Sequence, residues 1–525
     1  MKSIYLLFLL LMASIIAQGQ TKKLSEKEVF QFKKRGFVQY SDFGAEGDGE
    51  TDDVEAIVAT HTFANQYDLR VQADEGYTYY IGGKDRTAII QTDTDFGRAQ
   101  FLIDDTKLEN RKAAIFEVRS SLKAFKLKGL SSLKRNQEKV GLSLSQSCLI
   151  TVTNTKVKHY IRFGRNQNSG SSQTDIFIVD QNGKVDMDAP IIWDFDQLTD
   201  ATALPIDEDT LSITGGRFTT IANQAESKYN YHSRNILIKR SKVVVDSLEH
   251  RIIGEGEQGA PYRGFISIQD CAYVSVRNTT LTGHKMYKTI GSAGKSVPMG
   301  SYDLSINRAL NVSLLNCSQT NSIDDRTYWG ILSSNYCKNL LYDHCTLSRF
   351  DAHKGVANAT IRNSTLGHMG INAIGSGTLT VENTTVRGRG FIQLRPDYGS
   401  TWQGNFIIRN CTFVPKGKKK GKKTDIALIS GLYSGSHDFG YTCYMPEQII
   451  IEDVHIDDSD PPEDYQATFV FSDFNPDMTD NAYKEQFPYV RTKQLQLKNI
   501  SVASEQPLRL SQNVFFFEGV EVIRK

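Results

Sequence analysis

ATIRNSTL (Ala359–Leu366) and LTVENTTV (Leu379–Val386) carry one pattern twice: apolar, any, apolar, any, Asn-like, two small or polar residues, apolar. It recurs in VSVRNTTL (Val274–Leu281), VSLLNCSQ (Val312–Gln319), LLYDHCTL (Leu340–Leu347), FIIRNCTF (Phe406–Phe413), IIIEDVHI (Ile449–Ile456) and LQLKNISV (Leu495–Val502). A ninth copy, ITVTNTKV (Ile150–Val157), lies well upstream. Recurrence with variable spacing marks a solenoid in which each repeat is one coil. Strict alternation makes each repeat a β-strand with one buried face. The Asn-like residue stands where the coil must turn. Asn tolerates turn geometry, and stacked amides bond from coil to coil. Val276, Leu314, Tyr342, Ile361, Val381, Ile408 and Ile451 are therefore expected in one interior column. The inserts between repeats become loops on one side, where a cleft can be built.

The chain has 525 residues, 39% hydrophobic and 23% charged, a globular composition. Lys plus Arg (61) and Asp plus Glu (60) nearly cancel, so no basic field argues for nucleic acid. An anionic partner must be met by a local patch. Residues 1–20, MKSIYLLFLLLMASIIAQGQ, read as a signal peptide: one Lys, an apolar run from Ile4 to Ile16, small residues at Ala17–Gly19. The run is short for a membrane span, and no lipid-accepting Cys follows. The expectation is a secreted or periplasmic bacterial protein. Cys317, Cys345 and Cys411 share one repeat position and read as stacked small residues rather than metal ligands.

Phe37–Gln66, FVQYSDFGAEGDGETDDVEAIVATHTFANQ, reads as strand, turn, helix. Asp52 with Glu55 three residues on is a capping-box signal, so the helix is expected over Asp52–Gln66 as a cap on the open solenoid end. DFGAEGDGETDD (Asp42–Asp53) resembles the opening of the pectate-lyase-like superfamily of right-handed parallel β-helices. That resemblance implies an all-β, single-stranded, right-handed parallel β-helix with an N-terminal helical cap. The division expected is 21–122 for the N-terminal segment and cap, and 123–525 for the β-helix. AFKLKGLSS (Ala124–Ser132) and LSITGGRF (Leu211–Phe218) are read as coils, and IFIVDQNGKV (Ile176–Val185) as a protruding hairpin. The tract KGKKKGKK (Lys416–Lys423) is a solvated loop or a tether for a polyanionic sugar.

Aligning coils by the Asn-like residue places chemistry in the inserts. His284 and Lys285 follow Asn278; Asp324, Asp325, Arg326, Tyr328 and Trp329 follow Asn316; Arg349, Asp351, His353 and Lys354 follow His344. His368 follows Asn363, and Arg389, Arg395, Tyr398 and Trp402 follow Asn383. Gly330, Gly355, Gly370 and Gly390 give a second register, in which Tyr328, His353, His368 and Arg389 line up along the stack. Such a cluster suits β-elimination on a uronic-acid polysaccharide. A cation neutralises the carboxylate, a base takes the α-proton, and an acid protonates the leaving oxygen. Arg326, Arg389 or Arg395 is the expected clamp, His353 the first choice for base and Lys354 the second, and Tyr398 or Tyr328 the acid. Asp351 would orient His353 or, with Asp324 and Asp325, hold a calcium ion. Trp329 and Trp402 would offer sugar-stacking faces, and His284, Lys285 and Arg349 further substrate contacts.

Two other readings stand beside this one. IDD (Ile323–Asp325) followed by GHMGINAIGS (Gly367–Ser376) is similar to the polygalacturonase pattern on the same fold. That family implies hydrolysis by paired carboxylates. However, the NTD triplet and the Arg-x-Lys element are missing, GHG is replaced by GHM, and the Asp pair lies more than a coil from His368 in sequence. A non-catalytic carbohydrate-binding solenoid would show a repetitive polar face instead of one mixed cluster. In style, SRFDAHKG (Ser348–Gly355) and LRPDYGSTW (Leu394–Trp402) resemble the β-helical lyases of Bacteroides-type bacteria, some acting on glycosaminoglycans such as chondroitin, dermatan or hyaluronan.

Overall fold

The computed structural model describes residues 25–330, 332–416, 426–463 and 465–525. The expected signal peptide and most of the Lys tract lie outside the described residues. The described residues form a right-handed parallel β-helix of 29 strands with little α-helix. Each coil contributes to three sheets. Sheet 1 includes Ile266–Gln269 and Leu304–Asn307, sheet 2 Val274–Arg277 and Val312–Leu315, and sheet 3 Thr280–Leu281 and Ser318–Gln319.

The repeat positions are where the pattern puts them. Val276 pairs with Leu314, then Tyr342, Ile361, Val381, Ile408 and Ile451 follow one above another. All seven side chains are buried. All eight Asn-like residues, from Asn278 to Asn499, adopt positive φ between 47° and 56°. This left-handed corner is the reason for Asn, which bears it better than other non-glycine residues. The amides bond along the stack: Asn316 Nδ2 donates to Asn278 Oδ1 at 2.8 Å and Asn383 Nδ2 to Asn363 Oδ1 at 3.2 Å. At His344 the ladder switches to Asp343, which accepts from Asn363 at 2.9 Å. A second ladder, Asn311–Asn339–Asn358, marks the corner between sheets 1 and 2 and went unread in the sequence.

The cap helix, α2 (Val54–Tyr67), follows α1 (Glu26–Arg35) and buries Val54, Ile57, His61, Phe63 and Ala64. Its expected capping box does not form. Asp52 Oδ1 accepts from Val54 N at 3.2 Å, but Glu55 pairs with Arg86 at 2.8 Å, and Asp53 holds the preceding turn through Glu46 N and Gly47 N.

Two other expectations are corrected. The coils begin well before residue 123: Thr94–Asp104 pairs in parallel with Leu211–Ile221, and Phe116–Arg119 with Ile236–Lys239. The segment between Arg119 and Leu211 is not coil at all. It leaves the stack at the corner between sheets 1 and 2 and builds an antiparallel sheet from Phe125–Lys126, Cys148–His159, Ser171–Val179 and Asp200–Pro205. ITVTNTKV and AFKLKGLSS belong to this arm, which has its own core around Ile150, Val152, Phe177 and Phe195. Alternation alone does not separate a parallel coil from an antiparallel strand. The Asp180–Lys184 turn does close a short hairpin, as expected from Asn182-Gly183. LSITGGRF is a coil.

The arm lies along the corner. Leu149, Ile176 and Ile178 pack on Ala272 and Leu310, and buried Lys338 reaches up to Asp175 at 2.8 Å and Pro190 O at 2.5 Å. The seven cysteines are buried and unpaired.

Candidate active site

Sheet 1 strands alternate strictly around the corner that follows Leu347. Phe350 and Ala352 point into the core, so Arg349, Asp351 and His353 point outward. Those three, with Lys354, meet two excursions: the 395–401 loop and the tip of the arm. Asp397 accepts from Arg395 Nη2 at 2.8 Å and from Arg162 Nε at 2.9 Å. Asp351 lies 2.7 Å from Arg349 Nη2 and 3.7 Å from Arg395 Nη1. A line of alternating charge thus runs Arg349–Asp351–Arg395–Asp397–Arg162, with Lys354 beside it. Lys354 Nζ bonds Ser171 Oγ on the arm at 3.2 Å.

His353 sits inside this frame. Its Nδ1 is 2.8 Å from Asn335 Oδ1, an acceptor, which fixes the proton on Nδ1 and leaves Nε2 as the free base. Burial, and then Arg395, Lys354, Arg162 and Arg349, hold the imidazole pKa well below its ordinary value. The ring meets Tyr398 edge-on, with centroids 5.7 Å apart. Arg162, Arg395 and Lys354 all stand over the Tyr398 ring at 5.4–5.6 Å. Burial raises the Tyr398 hydroxyl to about 12. Burial, Arg162 and Arg395 lower Lys354 to about 8. Asp397 stays well ionised because Arg395 and Arg162 outweigh its burial, and those carboxylates keep Arg395 charged.

His368, Arg389, Arg326 and Tyr328 are not part of that frame. Leu366 stands opposite Leu347 and Ile371 opposite Phe350, so His368 lies at the other end of the sheet 1 strand from His353, on the order of 15 Å away laterally. The glycine register failed because the glycines do two jobs. Gly355 (φ 56°) turns the corner out of sheet 1, whereas Gly370 (φ 55°) sits inside the strand, opposite Arg349. His368 does stack one coil from Arg389, since Ile371 pairs with Ile392. The 320–330 loop folds onto it: Ile323 O is 3.0 Å from both His368 N and Nδ1. That brings Asp324, Asp325 and Arg326 to His368, across the sequence gap. Asp324 pairs with Arg387 at 2.7 Å. Asp325 Oδ1 accepts from Thr327 N at 2.9 Å. Arg326 and Arg389 are exposed.

The remaining expected residues divide. Trp402 is a correction: it is fully buried, packs on Phe406 and donates Nε1–H to Gly377 O at 2.9 Å, so it offers no face to a sugar. Trp329 stays partly exposed beneath Arg349, 5.5 Å from ring to guanidinium. His284 is buried in a network with Asp303 (3.2 Å) and Glu255 (3.7 Å), which outweigh its burial and raise its pKa to about 9. Lys285 is tied to Gly256 O at 2.6 Å, and both neighbour Tyr328–Trp329 in the opposite wall of inserts. Asp351 does not orient His353; Asn335 does. Asp324, Asp325 and Asp351 do not converge, each being engaged elsewhere, and no group of three or more His, Cys, Asp or Glu among the described residues could hold a metal ion. Asn335, Arg162 and Ser171 were missed, the latter two because they come from the arm, which shares no register with the coils.

No protein-family model matches the chain. A capsule KL64-specific depolymerase of Klebsiella phage P510 is 26% identical over 147 residues, 24% of this chain; the match spans 14% of that protein's length. Two solved structures share the fold across most of the chain. Tailspike gp61 of Pseudomonas phage phi297 superposes with a TM-score of 0.53 at 14% identity, covering 93% of this chain and 84% of that one. Tailspike gp49 of Pseudomonas phage LKA1 does so with 0.53 at 12% identity, covering 91% and 83%. At these identities the likeness is one of fold. Among the described residues no helix is long and apolar enough to cross a membrane.

Proposed function

We propose that this protein degrades an anionic polysaccharide, and that it does so as a lyase at the His353 cluster. The supporting observation is the pairing of a neutral, Asn335-oriented imidazole with a surplus of cations: Arg349, Arg395, Arg162 and Lys354 face only Asp351 and Asp397. Neighbouring positive charge suits a uronate carboxylate and keeps the base unprotonated. In this reading His353 Nε2 removes the proton α to the carboxylate, Lys354 or an arginine neutralises the enolate that forms, and Tyr398 returns a proton to the leaving oxygen. Glycosaminoglycans are the favoured class, and the likeness to a capsule-specific depolymerase agrees with a polysaccharide substrate. The leader expected at residues 1–20 would fit a polymer met outside the cytoplasm.

A second reading is favoured by one contact. The Ile323 carbonyl on His368 collects Asp324, Asp325 and a partly exposed histidine in the open, as hydrolysis by paired carboxylates would need. Incubation with a panel of uronic polymers separates the two. A conjugated unsaturated uronate, seen by ultraviolet absorbance, appears only with elimination; new reducing ends without it mean hydrolysis; neither signal returns the binding-protein reading.

A further inference from the structure

The arm and the coil inserts close over the outer face of sheet 1. The arm leaves at the edge shared with sheet 2, and its tip bonds excursions from that same edge: Ile161 N donates to Phe439 O at 3.1 Å and Phe163 N to Asp397 O at 2.9 Å. Two residues later the tip bonds excursions from the opposite edge, the one shared with sheet 3. Ala293 N donates to Arg165 O at 3.2 Å, and Tyr229 Oη donates to Asn166 Oδ1 at 3.0 Å. Residues 282–303, which carry the Lys288–Ile290/Ser296–Pro298 hairpin, and residues 222–235 both connect sheet 3 to sheet 1. Chain that joins both edges of one sheet must cross its outer face, because the inner face is filled by core. The crossing point is fixed by Arg162, which faces His353 and Asp397.

Beneath this strap the side chains of the His353 cluster form the floor. His353 and Lys354 keep part of their surface in water. Arg349, 3% exposed, leaves Nε and Nη1 without hydrogen-bond partners. Trp329 Nε1 beside it is also unpartnered, as are the oxygens of Asp351, which meets Arg349 only through Nη2. Buried donors of this kind ask for an acceptor.

We propose that the strap makes the His353 cluster a chain-end site, resting on the reading of that cluster as the place of cleavage. A polysaccharide cannot lie sideways into a floor roofed by continuous backbone. It enters end-first, its terminal anionic residues passing under Arg162–Arg165 to the donors of Arg349, and short products leave from one terminus. Strap residues then select for termini, while the charge line selects for anionic sugar.

The test uses the full chain and a uronate polymer that it cleaves, supplied at equal mass intact and pre-cut to about one-tenth length. Chain-end action raises the initial rate about tenfold on the cut sample, in step with the number of ends. It also leaves the size profile of the intact polymer nearly unchanged while small products accumulate. Equal rates, with early collapse of polymer size, overturn the proposal and leave the lyase reading intact. Absence of any cleavage across the panel sinks the lyase reading and this proposal with it. In a trimmed variant a Gly-containing two-residue turn replaces residues 288–298, joining Tyr287 to Met299, which are already bonded at 3.0 Å. Opening the strap should convert the enzyme to mid-chain cutting. A folded trimmed variant that still follows chain ends shows that the strap is not the cause.

Discussion

His353 and His368 stand on neighbouring coils of one sheet, yet their surroundings share little. The first is framed by two loop systems, oriented by Asn335 and pressed by four cations. The second lies under a single loop, held by one carbonyl, with exposed arginines around it. Stacking sets the spacing between coils, but the lateral position along the strand decides which inserts a residue meets. In a solenoid, two residues one coil apart can therefore belong to different sites.

The sharpest way to break this contrast is to remove each histidine. His353→Ala should lower turnover by about two orders of magnitude or more with substrate binding largely kept, whereas His368→Ala should change it less than about threefold. The reverse order in steady-state kinetics would move the chemistry to the His368 loop and favour hydrolysis. The arginines sharpen the same contrast through stability. Arg395→Ala takes one of two arginines from each of Asp351 and Asp397, leaving Arg349 and Arg162, and should cost about 1–3 kcal/mol by denaturant unfolding, together with activity. Arg389→Ala, on the open side, should stay within about 0.5 kcal/mol; comparable losses for both would mean that Arg389 has a partner beyond those described.

Acidity offers a subtler comparison. With His353 neutral far below the ordinary imidazole range, kcat/KM should hold on the acid side and fall as pH rises through about 8, where Lys354 loses its proton. Lys354→Arg should carry that alkaline limb upward, and an unmoved limb would remove Lys354 from the reaction. The smallest effect is on folding. A histidine whose folded pKa lies below its unfolded one binds its proton more readily when unfolded. Its contribution is therefore destabilising as pH falls from the unfolded value, about 6.5, toward the folded one. His353→Gln should flatten a small part of the acid-side drop in melting temperature, and His368→Gln a smaller part.

What could be read in the sequence follows the range of the forces involved. The interior column from Val276 to Ile451 and the positive-φ Asn corner are written in the local alternation and corner residue of each repeat, and both were legible. The site depends on chain brought from far away. Arg162 and Ser171 reach His353's neighbours from an antiparallel insert whose strands look like coils in one dimension, and ITVTNTKV was misread for that reason. Trp402 was misplaced because it lies just past the 395–401 loop, where the chain turns back into the core. His353, Lys354, Arg395 and Tyr398 were found together because their types are rare in a coil, not because their register was understood.

The arm also has a consequence in time. Arg162 must wait for Asp397, 235 residues later in the chain. At ordinary synthesis rates that interval is on the order of ten to fifty seconds. The face of the arm that covers the corner, with Leu149, Ile176 and Ile178, gains its own partners earlier, when Ala272 and Leu310 emerge. Its own core, closed by Ala201 and Ala203, is complete before that docking surface exists. The arm is thus an early-formed piece that the growing stack must reach, coil by coil, and the strap can close only after the 431–447 loop has emerged.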